Sequence, residues 1–180
     1  MTQIDFNILN FIQEHLRTAW GDVIFPIISC LGNAGIIWII LTVILLCIPK
    51  FRKYGVTLVI ALIIDLLLCN VIIKPIVARI RPYDINTSVK LLITAPTDYS
   101  FPSGHTASSF TAVSALYFSK CRLWIYSFVL AALIAFSRLY LYVHYPSDVL
   151  AGIILGILIG WFSCFLYKKF ILNHKQKTEP

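Results

Sequence analysis

Long apolar runs separated by short polar links dominate the hydrophobic pattern of this chain. Five runs stand out, and each approaches the length of about 20 residues that a helix needs to cross the hydrocarbon layer of a membrane. They cover residues 34–49, 54–73, 104–119, 122–143 and 147–167. The pattern predicts a bundle of membrane-embedded helices, and it leaves one long polar segment, residues 74–103, between the second and third runs.

The first residues of the chain have a different periodicity. Residues 3–17 alternate apolar and polar positions at helical spacing, which predicts an amphipathic helix at the membrane interface. The apolar face would consist of Ile4, Ile8, Phe11 and Ile12, whereas Asp5, Glu14 and Arg17 fall elsewhere. The pattern of a cleavable signal, basic and then apolar, is missing, so we expect this first helix to remain in the protein.

Residues 20–31 are apolar but short, and Pro26 interrupts them. They are expected to form either a sixth, irregular span or a re-entrant segment. The predicted fold class is therefore all-α: an integral membrane bundle of about six transmembrane helices with an N-terminal amphipathic segment.

Composition agrees with a membrane protein. Of the 180 residues, 59% are hydrophobic and 13% are charged, with a mean hydropathy of +0.84; soluble domains carry about 25% charged residues. The length leaves no room for a second soluble domain, so residues 1–180 are predicted to form a single domain. The five cysteines lie in or beside apolar runs without CxxC spacing, which indicates neither a disulfide framework nor a zinc site.

The net charge of +7 does not indicate nucleic-acid binding, because the basic residues cluster in short links between apolar runs. Nine lie on one predicted side of the membrane, namely Lys50, Arg52, Lys53, Lys120, Arg122, Lys168, Lys169, Lys175 and Lys177. Five lie on the other, namely Lys74, Arg79, Arg81, Lys90 and Arg138. The positive-inside rule predicts that the second side, with the long polar segment, faces outward.

Three polar clusters meet on that outward side: KPIVARIRP (74–82), PSGH (102–105) and SRLYLYVHYPSD (137–148). They contain three cations, Lys74, Arg81 and Arg138. Any one of these alone is explained by snorkelling or by contact with lipid head groups. Three at one depth repel one another unless an anion lies between them, and a phosphoryl group matches the donors of arginine and lysine.

The PSGH cluster stands where a span begins. The first backbone N–H groups of a helix lack partners and form an anion site, and Gly104 allows a ligand to come close to the backbone. We therefore expect Ser103, Gly104 and His105 to face the same anion. The alternative is a plain helix cap, with Ser103 as N-cap and His105 at the interface.

His144 and Asp148 lie on either side of the start of the last span. The carboxylate can accept the Nδ1 proton of His144 and leave Nε2 free as a nucleophile or base. Helix capping by Asp148 beside an unrelated histidine is the simpler alternative. Two histidines and an aspartate could also bind a divalent metal, but the three adjacent cations would repel it.

Together, K-x6-RP, PSGH and SR-x5-H-x3-D resemble the three-part signature of the type 2 phosphatidic acid phosphatase superfamily, which includes membrane lipid phosphatases and vanadium haloperoxidases. Every signature position is filled, in order, between residues 74 and 148. The small size and the membrane setting are similar to those of bacterial lipid phosphatases, the undecaprenyl diphosphatases in particular.

The resemblance implies a role for each signature residue. His144 would attack phosphorus and form a phosphohistidine, Asp148 would orient it, and His105 would protonate the leaving oxygen. The phosphoryl oxygens would be held by Lys74, Arg81, Ser103, Gly104 and Arg138. Neither a metal nor a cofactor is implied.

The predicted function is hydrolysis of a lipid phosphate or diphosphate, mainly undecaprenyl diphosphate to undecaprenyl phosphate, at the outer face of the bacterial plasma membrane. Phosphatidic acid and phosphatidylglycerol phosphate are alternative substrates, and an acceptor other than water is a further option. From a different class, the protein could bind or transport a lipid anion without chemistry. The expected partners are the lipid substrate and membrane lipids, not nucleic acid, and the sequence gives no indication of oligomeric state.

Asp65 and Arg79 are two charged residues outside the signature that are candidates for a functional role. Asp65 falls within a predicted span, where an ionisable group suggests function, although a helix–helix hydrogen bond explains it equally well. Arg79 lies close to Arg81 and is a candidate for contact with the head group or a second phosphate.

Overall fold

The computed structural model describes residues 3–172, and this range folds into helices and connecting loops without a β-strand. The helices are α1 (Gln3–Phe11), α2 (Ala19–Leu31), α3 (Ile36–Cys47), α4 (Arg52–Asp65), α5 (Lys74–Val77), α6 (Pro82–Ile85), α7 (Gly104–Phe118), α8 (Trp124–Tyr140) and α9 (Pro146–Leu166). Wider π-helical turns follow α1 (Ile12–Leu16), join α4 to α5 (Leu66–Ile73) and follow α9 (Tyr167–Leu172). The predicted all-α fold class is confirmed.

The five predicted apolar runs correspond to α3, to α4 with its π-helical extension, and to α7, α8 and α9. Within residues 3–172, two helical stretches are long and apolar enough to cross a membrane, Pro49–Ile85 and Pro146–Phe170. The pair α2–α3 counts as a third if it is one span, and α8 is apolar but shorter. The number of about six spans stays a prediction, and Lys175 and Lys177 lie outside the described residues.

Helices α2 and α3 are two halves of one apolar segment that bends by 47°. At the break, Ala34 has φ 50° and Gly35 has φ 67°. Glycine adopts this left-handed conformation without a steric penalty, which allows the chain to turn there. Residues 20–31, predicted as an irregular span or a re-entrant segment, thus fall in the first half of a broken helix.

The centre of the bundle is α7, which packs most extensively against α9. Three glycines of α9, Gly152, Gly156 and Gly160, recur every fourth residue and face α7. A Cβ added at Gly156 would lie 2.7 Å from the carbonyl oxygen of Ala107, closer than side chains normally approach backbone. The close packing brings the first turns of α7 and α9 together, where the Ser103 N–H donates to the Asp148 carbonyl at 3.1 Å.

Large apolar side chains cover the outside of the bundle. On α9, Ile154, Leu158, Trp161 and Phe165 are all exposed. A water-soluble protein rarely presents such a continuous apolar surface, whereas lipid chains solvate it without cost. The surface therefore supports a membrane location.

Helix α1 lies against the start of α9 and differs in part from the prediction. Ile4, Ile8 and Phe11 are exposed, as an interfacial helix requires, but Ile12, predicted on the same face, is buried. Asp5 is also buried, because it accepts hydrogen bonds from the Ser147 amide at 3.1 Å and from the Arg79 guanidinium at 2.8 Å. Charge pairing across the chain, which local periodicity does not encode, sets the orientation of this helix.

The glycine contact predicts a specific instability. Gly156→Ala should push α9 away from the α7 backbone and cost about 1–3 kcal/mol of stability, lowering the midpoint of thermal unfolding in detergent. Ala132→Val, which adds bulk at an exposed position of α8, is the control and should leave the midpoint unchanged. Equal midpoints for both variants and the wild type would show that the α7–α9 contact tolerates a methyl group.

Candidate active site

The three predicted polar clusters converge at one end of the bundle. Lys74 follows the long α4 segment, Arg138 lies in the last turn of α8, and both α7 and α9 begin there. A cavity of about 760 Å³ opens at this end. Its lining includes the predicted site residues Lys74, Arg81, Gly104, His105, Arg138 and His144. The other two, Ser103 and Asp148, are fully buried behind them.

His144 lies in the short connection between α8 and α9, where α9 begins at Pro146, and it is 1% exposed. Nη1 of Arg81 is 3.2 Å from its Nε2 and 2.6 Å from the carbonyl oxygen of Val143. Because a guanidinium only donates, Nε2 is the acceptor and Nδ1 carries the proton. Burial, and then the charges of Arg81 and Arg138, hold the pKa of His144 well below its usual value. The imidazole is therefore neutral at neutral pH, with its lone pair at Nε2.

Asp148 is held in the first turn of α9 by three donors. The Tyr145 amide donates to Oδ2 at 2.9 Å, the Ser100 hydroxyl donates to the same oxygen, and Arg79 Nη1 donates to Oδ1 at 2.5 Å. Nδ1 of His144 is 3.5 Å from Oδ2. The two side chains face each other as expected, but the distance between these two atoms is longer than a hydrogen bond. Nδ1 of His144 has no hydrogen-bond partner within residues 3–172.

Lys74, Arg81 and Arg138, called here the cationic cradle, are all buried. Two of them already hold a carboxylate, since Lys74 Nζ donates to Oδ2 of Asp98 and Arg81 Nη2 donates to Oδ1 at 2.6 Å. Arg138 donates to the hydroxyl of Ser29, while its buried Nε has no partner in the described part of the chain. The cradle thus combines fixed positive charge with donor capacity for a further anion.

The start of α7 forms the opposite wall. Nε2 of His105 lies 2.9 Å from Oδ1 of Asn33, so Nε2 carries the proton and donates it. A Cβ at Gly104 would lie 3.6 Å from Lys74 Nζ, which places the Gly104 backbone beside the cradle. Ser103 is the N-cap, but its hydroxyl accepts from Thr106 rather than from a helix amide. Because its own amide donates to the carbonyl of Asp148, Ser103 holds the start of α7 against α9 on the side away from the cavity.

A second, more apolar groove of about 480 Å³ adjoins the cavity and shares Lys74, Asp98, Gly104 and His105 with it. It runs between the broken helix and α4. Its apolar lining comes from Ile39, Val59, Leu62, Ile63 and Leu66. Asp65 also lines this groove, 3.5 Å from the hydroxyl of Thr111, which is the helix–helix contact expected as one of its two explanations.

Arg79 does not line the cavity, contrary to its expected contact with the head group. It lies instead behind the site, where it bonds Asp148, Asp5 and Ser147 and covers the ring of Tyr145 at 3.9 Å. The buried carboxylates of Asp5 and Asp148 attract the guanidinium away from the cavity. It therefore positions Asp148 and ties α1 to the site.

Sequence reasoning did not identify Ser29, Asn33 or Asp98 as site residues. Ser29 and Asn33 reach the cavity because the chain breaks between α2 and α3, a bend that the apolar pattern did not reveal. Asp98 stands in a polar loop seven residues before His105 and locally resembles any solvated loop acid. Only the position of the cations in three dimensions shows that it meets them.

A sequence profile described as the PAP2 superfamily matches residues 50–171. The chain belongs to the PAP2 superfamily. The undecaprenyl-diphosphatase of Sulfolobus acidocaldarius is 38% identical over 159 residues, which cover 88% of this chain and 74% of that protein. The predicted family and the predicted enzyme class, a lipid phosphatase, are confirmed.

Two solved structures share the PAP2 fold. The crystal structure of Aquifex aeolicus LpxE superposes with a TM-score of 0.76 at 30% identity, covering 90% of this chain and 95% of that one. The PAP2-type phosphatidylglycerolphosphate phosphatase of Bacillus subtilis gives a TM-score of 0.71 at 25% identity, covering 99% and 89%. The profile does not include residues 3–49, which supply Asp5, Ser29 and Asn33.

The Arg79 network predicts a defect in turnover rather than in substrate binding. Arg79→Met should leave two buried carboxylates without their cation and let Asp148 drift from His144, lowering the rate of phosphate release about 10- to 100-fold with little change in KM. Arg79→Lys should restore part of the rate. The measurement is kcat and KM for phosphate release from a lipid phosphate.

Lys90→Met removes an exposed loop cation and serves as the matched control, with kcat expected to stay at the wild-type value. A purely structural role for Arg79 would lower thermal stability and leave kcat of the folded fraction unchanged, which would contradict its action through Asp148.

Proposed function

We propose that the chain removes the terminal phosphate of a membrane lipid, with undecaprenyl diphosphate as the main substrate and undecaprenyl phosphate as the product. The observation that carries the proposal is the state of His144, a neutral imidazole with its Nε2 lone pair beside the cationic cradle. A protein that only binds or transports lipid anions needs no such nucleophile, which favours an enzyme over a carrier.

In the first step, Nε2 of His144 attacks the terminal phosphorus, and the P–O bond to the leaving group breaks as the P–N bond forms. The Nδ1 proton stays on the ring, which becomes positively charged, and Asp148 at 3.5 Å stabilises that charge. The cradle and the first turn of α7 hold the phosphoryl oxygens, over which the transition-state charge spreads. These groups supply the positive charge without a metal or a cofactor.

His105 provides the proton for the leaving oxygen in its imidazolium form, which the negative charge of the bound phosphate stabilises and which becomes a neutral imidazole on transfer. Its Nε2–H, which the Asn33 amide oxygen accepts in the free protein, is directed into the cavity from the wall opposite His144. Transfer of a proton to the bridging oxygen releases the lipid monophosphate. In the second step His105 takes a proton from water, the water oxygen attacks phosphorus, and the P–N bond breaks to give inorganic phosphate and neutral His144.

The groove beside the cavity suits an apolar chain attached to the reacting phosphate. Its residues Ile39, Leu62 and Leu66 continue from His105 toward the lipid-facing surface of α3 and α4. The relative from Sulfolobus acidocaldarius, named for undecaprenyl diphosphate, favours an isoprenoid diphosphate. The similarity to the phosphatidylglycerolphosphate phosphatase of Bacillus subtilis supports a glycerophospholipid as the second candidate.

We further propose that the site faces the outside of a bacterial plasma membrane. The opposite end of the bundle carries Lys50, Arg52, Lys53, Lys120, Arg122, Lys168 and Lys169. A cytoplasmic location for this basic end follows the positive-inside rule. The cavity then opens on the outer face of the membrane.

Phosphate release from purified protein in detergent tests the function. We expect the wild type to release phosphate from undecaprenyl diphosphate faster than from undecaprenyl phosphate, phosphatidic acid and phosphatidylglycerol phosphate. His144→Asn should reduce release at least about 10³-fold, since the remaining site has no nucleophile. A chelator such as EDTA should not change the wild-type rate.

His15→Asn, a substitution of an exposed histidine near the end of the first helix, is the matched control and should keep full activity. Release from none of the four lipids would exclude the phosphatase activity, and normal turnover by a folded His144→Asn variant would exclude the covalent mechanism. Faster release from phosphatidylglycerol phosphate would favour the second candidate substrate.

A further inference from the structure

The cationic cradle of the free protein already contains an anion that belongs to the chain itself. The two carboxylate oxygens of Asp98 accept from different cations, Oδ1 from Arg81 at 2.6 Å and Oδ2 from Lys74. Its backbone carbonyl also accepts from Arg81 Nε at 2.7 Å. This is the geometry in which two oxygens of a phosphoryl group would meet the same donors.

Solvent exposure of the side chains distinguishes the two fixed cations, Lys74 and Arg81, from the movable carboxylate of Asp98. The side chains of Lys74 and Arg81 are 8% and 3% exposed, whereas that of Asp98 is 52% exposed. Asp98 lines both the cavity and the apolar groove, at the junction through which a lipid phosphate would enter. Asp98 belongs to the loop before α7, whereas Lys74 is the first residue of α5 and Arg81 directly precedes α6. The carboxylate can therefore leave, and the cations stay.

The charge of Asp98 is permanent under working conditions. Partial burial raises the pKa of its carboxyl, but the hydrogen bond and charge of Lys74 and the charge of Arg81 outweigh that effect and lower the pKa to about 2. The group is a carboxylate at any pH near neutral. Protonation therefore cannot release the Asp98 carboxylate from the cationic cradle, and an incoming anion must displace it.

We propose that Asp98 is an intramolecular substitute for the substrate phosphate, which occupies the cradle in the free enzyme, leaves when the phosphoryl group binds, and returns to displace inorganic phosphate. This rests on the proposed function, since it takes the cradle as the phosphoryl site. A terminal phosphate carries about −1.5 to −2 charges and a carboxylate one, so the exchange favours the substrate. The tethered carboxylate, at an effective concentration on the order of millimolar, competes with the product.

The alternative is that Asp98 is a permanent part of the wall that holds Lys74 and Arg81 in position. The two roles predict opposite changes in the affinity of the site for inorganic phosphate when Asp98 is removed. Removal of a competitor strengthens phosphate binding, whereas removal of a positioning group weakens it. The affinity of the site for inorganic phosphate therefore decides between them.

The test is the dissociation constant of orthophosphate, measured by ³¹P NMR titration of purified wild type and Asp98→Asn. We expect the constant to fall about tenfold in the variant, as loss of one charge-assisted hydrogen-bonded competitor implies. In turnover assays, KM should fall and inhibition by added orthophosphate should strengthen. Asp84→Asn, which removes an exposed acid close to Arg81 in sequence, is the matched control and should leave the constant unchanged.

An unchanged or larger dissociation constant in Asp98→Asn would overturn the proposal. If that variant does not fold, Asp98→Ser removes the same charge and carries the same expectation. A measurement on the wild type needs no variant: saturating orthovanadate should speed hydrogen–deuterium exchange of segment 94–100, and unchanged or slower exchange would contradict displacement.

The outcome is separable from the proposed function. Orthophosphate binding is measured without turnover. Tighter binding in Asp98→Asn, together with no phosphate release from any lipid, would overturn the proposed function but support the role of Asp98 as a substitute for phosphate. Normal turnover with unchanged phosphate affinity would overturn only the role of Asp98.

Discussion

Repulsion among three buried cations is the constraint on which the site depends. Lys74, Arg81 and Arg138 are each less than a tenth exposed, and like charges brought together away from water lose hydration and repel one another. The free protein reduces this cost with the carboxylate of Asp98 and with three backbone carbonyls that accept from Arg81. The remaining excess of positive charge favours the binding of a further anion in the cavity.

The scaffold that holds these charges is built from close helix contacts. Gly156 and its neighbouring glycines let α9 approach the backbone of α7, so that Ser103 bonds to Asp148 and the two helix starts face one cavity. On the side away from the cavity, Arg79 bonds to both Asp5 and Asp148 and so holds the Asp148 carboxylate in place. The proposed catalytic pair, His144 and Asp148, is thus positioned from the first helix as well as from the signature region.

Much of this arrangement could be predicted from the sequence, because the informative features are local. Apolar runs gave the helices within a few residues, and motif spacing brought Lys74, His105 and His144 to one end. Contacts made by residues outside the motifs could not be predicted. The bend at Gly35 directs Asn33 to His105, and Asp98 meets cations from two other parts of the chain. No periodicity or motif in the sequence indicates either contact, since both depend on how the helices pack.

Trapping of the covalent intermediate is the most direct measurement of the central claim, which is that His144 Nε2 receives the phosphoryl group. In a His105→Asn variant, the second step loses its base, while a diphosphate still has a good leaving group. Rapid quenching with undecaprenyl diphosphate and mass spectrometry at high pH should then find one phosphoryl group on the peptide that contains His144. Phosphate release with no modified peptide, or with the phosphoryl group on another residue, would contradict the account.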